Sequence, residues 1–288
     1  MGLGVVQSLR RHGYAVVVRD IRPEAEAAAV QLGATSRPTP AALGADCAIV
    51  ILLVVDAPQI TAVLFGEHGA ASALAPGTIV IVSSTVAPDY VAALAARLER
   101  AGLRVLDAPV SGGSQRAAAG TMTAMVSGNE ATVEECVALF KAIAGNTFTV
   151  GSAPGAAATF KVLNNQLAAV NLAAGAEAMA MAMRAGVDPR KFMEVVNASS
   201  GASWIFTERM VRALAGDRTP RAAVTLLHKD VGIAVDTAQA MGFDAPLARA
   251  ARAAFVAAVA AGYGAKDDAA LVEYYNSTAA RPPPPRDD

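Results

Sequence analysis

The 288-residue sequence has little charge of either sign and no excess of one sign over the other. Asp, Glu, Lys and Arg make up 17% of it, and the formal net charge is -1. A near-neutral chain gives no electrostatic reason to bind nucleic acid or an anionic membrane surface. No apolar run reaches the roughly 18 residues that predict a membrane-spanning helix, and no signal-peptide pattern is present. We therefore expect a cytoplasmic protein that binds neither nucleic acid nor a membrane.

Residues that form disulfides or bind metals are also scarce. The two cysteines, Cys47 and Cys136, lie in apolar patterns, which predicts buried free thiols rather than a disulfide and fits a reducing compartment. The three histidines, His12, His68 and His228, lie far apart without the spacing of metal ligands. We expect no metal site.

Apolar residues are abundant, at 54% of the chain, and their pattern predicts two domains. Short apolar strands alternate with helices to about residue 152, which is typical of a doubly wound, Rossmann-type α/β fold with a parallel sheet. From 153 to 276 the pattern is helical throughout, so we expect a second, all-α domain. Residues 277–288 contain a run of four prolines, which predicts a disordered tail.

The first residues indicate a Rossmann βαβ unit that lacks its first strand. A helix ends at Gly13, a strand covers Tyr14 to Val18, and an acid, Asp20, follows. In a dinucleotide-binding unit this acid lies about 20 residues beyond the glycine loop, so Gly2 would be the last glycine of G-x-G-x-x-G. A misplaced start, a truncation or a degenerate copy would explain the missing strand. The alternative is an ordinary helix with an unrelated glycine.

Three strand ends carry candidate binding residues, because ligands of such sheets bind beyond the carboxyl ends of the strands. The first two are Val54-Val55 and the hydroxyl cluster that ends in Thr85. The third is Asp107 followed by Ser111-Gly112-Gly113, where two glycines would let backbone amides approach a carboxylate. Ordinary turns are the alternative at the last two positions.

The helix predicted over 155–185 carries the strongest candidate for catalysis. Lys161, Asn164 and Asn165 share one of its faces, and the neighbouring apolar residues are Phe160, Val162, Leu163 and Leu167. An ammonium among apolar side chains loses solvation, so its pKa falls, and a lysine with a pKa of roughly 7–8 can exchange protons near neutrality. The alternative is a lysine that extends from a core helix into solvent.

The helical half contains two further features of interest. Trp204, the only tryptophan, follows a Ser-Gly-Ala-Ser loop and would be either a core residue or a substrate contact. Lys229 and Asp230 are adjacent within an apolar helix. Neighbouring helical residues do not share a face, so we expect only one of the two to point inward.

Together these motifs resemble the β-hydroxyacid dehydrogenase family, which includes 3-hydroxyisobutyrate dehydrogenase and tartronate semialdehyde reductase. The Asp107–Gly113 loop is similar to the family's substrate loop, the Gly155–Asn165 stretch to its catalytic motif, and Lys229-Asp230 to its C-terminal pair. The resemblance covers about residues 1 to 276. Within the family, the loop before Trp204, the Val54-Val55 strand end and the Gly262–Asp268 stretch look most like the L-threonate dehydrogenase branch. The usual Leu-Pro of the family is Val54-Val55 here.

The resemblance implies a role for each candidate residue. Lys161 would be the general acid and base. The substrate would be held by Ser111, Gly112, Gly113, Asn165 and Trp204. The cofactor would be contacted by Gly2, Asp20, Val54, Val55, Thr85 and Lys229. Asp20 favours NAD over NADP because a carboxylate repels a 2′-phosphate, although Arg19 and Arg22 flank it.

The resemblance further implies an NAD-dependent dehydrogenase of a small hydroxy acid, with L-threonate favoured. The alternatives within the family are 3-hydroxyisobutyrate dehydrogenase and a tartronate or succinic semialdehyde reductase. The imine-reductase branch is disfavoured because it typically lacks the lysine that Lys161 supplies. A non-catalytic relative that has lost the dinucleotide loop is the alternative of another class. The long Ala-rich helix is a natural subunit contact, so we expect a homodimer or homotetramer.

Overall fold

The computed structural model describes residues 1–45 and 47–278. The chain divides into two compact units, Met1–Val162 and a second that begins at Leu163. In place of the predicted domain boundary at 152/153, the division falls inside a helix. The first turn of that helix is hydrogen-bonded to strands of the first unit, to Asp107 and Ser127.

The first unit is an α/β unit in which short strands alternate with helices, as the sequence predicts. Its elements in chain order are α1 (Gly2–Arg11), β1 (Val17–Val18), α2 (Pro23–Gln31), β2 (Thr35–Ser36), α3 (Pro40–Gly44), β3 (Ile49–Leu52), α4 (Ala57–Phe65), β4 (Ile79–Val82), α5 (Pro88–Glu99), β5 (Arg104–Asp107), β6 (Val110–Ser111), α6 (Gly113–Ala119), β7 (Met122–Gly128), α7 (Glu130–Glu135), α8 (Val137–Ile143) and β8 (Ala144–Gly151).

The strands form two sheets. β1 and β2 pair in parallel, and a separate six-stranded sheet has the order β3-β4-β5-β7-β6, with β8 paired to β7. β3, β4 and β5 are parallel neighbours, which places their carboxyl ends at one edge. All four residues of β4 are buried, as expected for a strand covered on both faces.

The second half of this sheet is mixed rather than parallel. β7 runs antiparallel to both β5 and β6, and parallel to β8. Only Ala108 and Pro109 separate β5 from β6, which is far too short for the crossover of a dozen or more residues that parallel neighbours need. The chain turns at α6 instead, and β7 returns alongside both strands.

Other differences from the predicted elements are local. The predicted strand from Tyr14 is reduced to Val17–Val18, and the predicted loop over 35–42 contains β2 and the start of α3. The predicted helix over 130–143 is interrupted at Cys136, between α7 and α8. Neither Cys47 nor Cys136 forms a disulfide, and Cys136 is fully buried.

The second unit is all-helical, as predicted. The long helix α9 (Ala156–Arg184) continues into it, followed by α10 (Pro189–Asn197), α11 (Trp204–Leu214), α12 (Val224–Ala240), α13 (Pro246–Ala258), a π-helical turn (Val259–Tyr263), a 3-10 turn (Asp268–Ala270) and α14 (Leu271–Thr278). α14 extends two residues into the segment predicted as a tail. The rest of that segment, 279–288, lies outside the described residues.

Buried ion pairs stabilise the region around the 3-10 turn of the second unit. Asp268 is paired with Arg209 at 2.5 Å, and Asp267 with Arg212 at 3.0 Å. Burial raises the pKa of Asp268 to about 6, against the opposing charge of Arg209. Asp267 also accepts the backbone N–H groups of Arg221 and Ala269. These two acids therefore have a structural task here.

Within the described residues, no helix combines the length and apolar character needed to span a lipid bilayer.

Candidate active site

The helix that carries Lys161 begins at a glycine, and side chains from two strands cap it. Gly155 has φ +99°, a left-handed conformation that favours glycine. Since it has no side chain, the cap comes from elsewhere. Oδ2 of Asp107 accepts the N–H groups of Gly155 and Ala158, each at 2.8 Å, and Oγ of Ser127 accepts that of Ala157 at 3.0 Å. The first turn of α9 is therefore fixed to the sheet.

Asp107 and Ser127 are directly opposite each other on β5 and β7. Both are buried, with Asp107 only 1% exposed, and the Ser127 hydroxyl donates to Asp107 at 3.4 Å. Burial raises the pKa of Asp107, while the hydrogen bonds from Ala158, Gly155 and Ser127 act in the opposite direction. A carboxylate at a helix N-terminus also interacts favourably with the helix dipole.

Lys161 is buried, being only 7% exposed. The alternative reading, in which its amine extends into solvent, is therefore wrong. Of the four predicted apolar neighbours, Val162 is buried, whereas Phe160, Leu163 and Leu167 are 53–63% exposed. Residues three and four positions away share the face of Lys161, and of these Ala157, Ala158 and Asn165 are buried. The exposed apolar residues lie on another face of the helix.

The predicted substrate loop is a sharp turn between β6 and α6. Ser111 ends β6 and is partly buried. Gly112 and Gly113 have φ values of +135° and +75°, so both occupy conformations that other residues rarely adopt. A Cβ at Gly112 would lie 2.8 Å from the Arg116 side chain. Sequence reasoning missed Arg116, which places a cation beside the loop.

Three of the predicted cofactor residues follow β3 and β4. Val54 and Val55 come after β3, and Thr85 follows β4, so all three lie at the same sheet edge. Both valine amides already have partners, since Val54 N–H donates to Ser84 Oγ and Val55 N–H to Gln59 Oε1, each at 3.0 Å. Their N–H groups are therefore not available to a ligand in this arrangement. Ser84 belongs to the hydroxyl cluster that the sequence singled out, and its hydroxyl accepts a backbone N–H here.

Asp20 follows β1 and is held by Arg22. The Arg22 backbone N–H lies 3.0 Å from Oδ1, and its guanidinium lies 3.3 Å from each carboxylate oxygen. Burial raises the pKa of Asp20, but the hydrogen bonds and charge of Arg22 and the charge of Arg19 outweigh it, and the pKa is lowered. Arg19 is paired in turn with Glu26 at 2.8 Å. A negative carboxylate is therefore maintained at the end of β1.

Gly2 is the first residue of the ten-residue helix α1, whose N-terminus has no side-chain cap. There is open space where a Cβ of Gly2 would be. Gly4 is different, because its Cβ would lie 2.8 Å from Ala117 in α6, so it permits close packing of α1 on α6. An uncapped helix N-terminus suits a phosphate, and a carboxylate after the next strand suits a ribose hydroxyl. These residues of the first unit fit a dinucleotide.

In the second unit Asn165 is joined to the predicted Lys-Asp pair. Asn165 Nδ2 donates to Asp230 Oδ2 at 2.7 Å, and Lys229 Nζ lies 2.7 Å from Asp230 Oδ1. We expected one of Lys229 and Asp230 to point inward; both side chains are partly buried, at 24% and 13% exposure, and they contact each other. Asn165 Oδ1 also accepts from Asn164 at 3.1 Å. The amide of Asn165 is thereby held in one orientation.

Trp204 is the first residue of α11, after the capping residue Ser203. It is 60% exposed, which excludes the reading as a core residue. No group of three or more His, Cys, Asp or Glu side chains suited to a metal ion occurs among the residues described.

Comparisons with known proteins cover almost the whole chain. Residues 1–151 match the family model for the NAD-binding domain of 6-phosphogluconate dehydrogenase, and residues 155–275 match that for the NAD-binding region of NADP-dependent 3-hydroxyisobutyrate dehydrogenase. The chain is 45% identical to an L-threonate dehydrogenase of Cupriavidus necator, over 96% of this chain and 93% of that one. It is 33% identical to an NAD-dependent L-serine dehydrogenase of Pseudomonas aeruginosa, over 93% and 92%. It is 39% identical to a 3-hydroxyisobutyrate dehydrogenase of Salmonella typhimurium of known structure, with a TM-score of 0.88 over 95% of each chain.

Proposed function

Because the chain belongs to the 3-hydroxyisobutyrate dehydrogenase-like family, we propose that it is an NAD-dependent dehydrogenase that oxidises L-threonate. The observation that carries this proposal is the buried amine of Lys161, which lies one helical turn from Asn165 on α9. An amine held away from bulk water can exchange a proton with a substrate hydroxyl. The similarity to L-threonate dehydrogenases favours that substrate among the hydroxy acids.

In the proposed reaction each residue has a defined task. Bound NAD supplies the hydride chemistry, and the protein supplies position and charge. Lys161 takes the proton of the substrate hydroxyl during oxidation and returns it during reduction. The backbone of Gly112 and Gly113, with Ser111, holds the substrate carboxylate. The oriented amide of Asn165 donates to the carboxylate or a hydroxyl, and Trp204 is a further substrate contact.

The alternatives within the family differ in the substrate rather than in the reaction. 3-Hydroxyisobutyrate carries a methyl group where a sugar acid carries a hydroxyl, and the semialdehydes of tartronate and succinate are shorter or lack a hydroxyl. A site built to hydrogen-bond a substrate hydroxyl rejects analogues that lack it far more strongly than an apolar pocket rejects an extra methylene. A panel of hydroxy acids therefore separates these activities.

We expect the purified chain to reduce NAD with L-threonate at a kcat/KM at least about 10-fold higher than with 3-hydroxyisobutyrate, since missing hydrogen bonds leave buried polar groups unpaired. The absorbance of the reduced nicotinamide measures the rate, and the two semialdehydes are tested in the reductive direction. If another hydroxy acid has the highest kcat/KM, that acid and not L-threonate is the substrate. Absence of turnover with every member of the panel would favour the non-catalytic alternative.

Replacement of Lys161 by Ala should lower kcat by about 10²–10⁴-fold, the typical contribution of a proton-transfer group. Binding of NAD, measured by titration of protein fluorescence, should be unchanged. Lys141→Ala is the matched control, because Lys141 is an exposed lysine in α8 of the same unit. Near-normal turnover in Lys161→Ala would refute the assignment.

We propose NAD rather than NADP as the cofactor because of the charges around Asp20. Arg19 and Arg22 are each paired with an acid, Glu26 and Asp20. With Glu24 added, the group has five residues, which carry two positive and three negative charges. A 2′-phosphate would therefore meet a net negative group at the end of β1, whereas ribose hydroxyls can donate to the Asp20 carboxylate.

Replacement of Asp20 by Ser should raise kcat/KM with NADP by about 10-fold. It removes a repulsion between carboxylate and phosphate of the order of 1 kcal/mol and leaves two arginines to attract the phosphate. Initial rates with NAD and NADP give the ratio. Glu99→Gln is the control, since Glu99 is an exposed acid at the end of α5, outside this group of charges. A wild-type preference for NADP, or an unchanged ratio in Asp20→Ser, would contradict the proposal.

We also propose that the enzyme is a homodimer or homotetramer and that it works in the cytoplasm. The location rests on the two cysteines, neither of which forms a disulfide. The assembly rests on an exposed apolar stripe of α9, which consists of Leu163, Leu167 and Met181 at 53–64% exposure. The small residues Ala174 and Ala178 lie on the same face, between Leu167 and Met181. Small residues in the middle of such a face allow a second copy of the helix to approach closely.

Replacement of Leu167 by Glu should shift the protein from dimer or tetramer towards monomer, because it places a charge in the apolar contact. Light scattering coupled to size-exclusion chromatography measures the mass. Leu247→Glu is the control, because Leu247 is equally exposed but lies on α13. A monomeric wild-type chain would disprove the assembly.

A further inference from the structure

The link between Asp107 and α9 has a consequence for catalysis that the roles proposed above do not include. A helix begins with N–H groups that have no partner inside the helix, and a local Ser, Thr, Asp or Asn side chain usually accepts one of them. In α9 the acceptors come instead from β5 and β7, from residues 30 to 51 positions earlier in the chain. The start of α9 is therefore set by the sheet.

The same carboxylate is adjacent in sequence to the substrate loop. Asp107 ends β5, and only three residues separate it from Ser111. This short link is held in place, because Ala108 N–H donates to Val82 O at 2.8 Å and Met125 N–H to Pro109 O at 3.1 Å. The substrate loop and the first turn of α9 thus depend on one common anchor.

The turn that Asp107 holds is the turn adjacent to Lys161. Ala157 and Ala158 lie four and three residues before Lys161, and helical side chains point back towards the N-terminus. The stem of Lys161 therefore lies along the turn whose amides are bound by Asp107 and Ser127. A movement of that turn moves the amine.

From this geometry we propose that Asp107, assisted by Ser127, is a positioning residue for Lys161, which fixes the amine relative to the substrate loop. Asp107 acts through hydrogen bonds to the backbone and takes no part in proton transfer. The proposal rests on the proposed function of Lys161 as the general acid and base. The expected loss of rate follows from the general observation that displacing a catalytic group by about 1 Å can lower the rate about 10²-fold.

The test compares Asp107→Ala, Asp107→Asn and Ser127→Ala in the full chain. Asp107→Ala should lower kcat by about 10–100-fold, while KM for L-threonate and Kd for NAD change less than about threefold, as expected for a loss confined to the transition state. Asp107→Asn retains an oxygen that can accept both N–H groups, so it should recover most of kcat. Ser127→Ala, which loses one bond, should be intermediate.

Hydrogen exchange measured by mass spectrometry gives a readout that does not depend on activity. Amides of the peptide that covers residues 155–162 should exchange faster in Asp107→Ala, with the rest of α9 unchanged. Asp188→Ala is the control for the loss of a helix cap in general, because Asp188 caps α10 by accepting the Lys191 N–H at 2.7 Å. It should leave kcat and the exchange of 155–162 unchanged.

Wild-type kcat in Asp107→Ala would overturn the proposal, and so would a loss of kcat that Asp107→Asn does not recover, since that result would assign the effect to charge. If Asp107→Ala does not fold, Asp107→Asn and Ser127→Ala decide the question by the same measurements. If the wild-type chain has no dehydrogenase activity, the proposed function fails. The exchange data would still show whether Asp107 anchors the helix.

Discussion

The site depends on one buried acceptor group, formed by Asp107 and Ser127, that holds the first turn of α9. A carboxylate buried at this depth costs free energy unless hydrogen bonds compensate it, and the free N–H groups of a helix start are such donors. The strand therefore supplies the anion that the helix needs, and the helix supplies the donors that the anion needs.

Much of α9, the helix that carries Lys161, could be predicted from the sequence. Its predicted bounds, 155–185, agree with Ala156–Arg184 to within one residue at each end. The agreement is close because glycines mark both ends and helix periodicity is a local property. The position of Lys161 on this helix followed for the same reason, and the glycines at 112 and 113 do form a turn, with φ values of +135° and +75°. The turn requires glycine whatever surrounds it.

Tertiary properties could not be predicted in the same way. Four apolar residues were expected around Lys161, yet only Val162 among them is buried, because the sequence cannot tell which apolar face of an Ala-rich helix meets the core. The antiparallel direction of β7 follows from the turn of the chain at α6, a segment that looks like one loop in the sequence. The role of Asp107 as a cap of α9 could not be predicted, because its hydrogen-bond partners lie up to 51 residues away in the sequence. The sequence showed it only as the start of the substrate-loop motif.

Gly155 limits how far this protein can diverge. Its backbone conformation disfavours every other amino acid, and a Cβ there would lie 2.9 Å from the carbonyl oxygen of Pro88. A side chain would push the start of α5 away from the start of α9, although Gly155 contributes no chemical group to the reaction. Deep mutational scanning of the gene should therefore show this position as intolerant, and directed evolution towards new substrates has to leave it untouched.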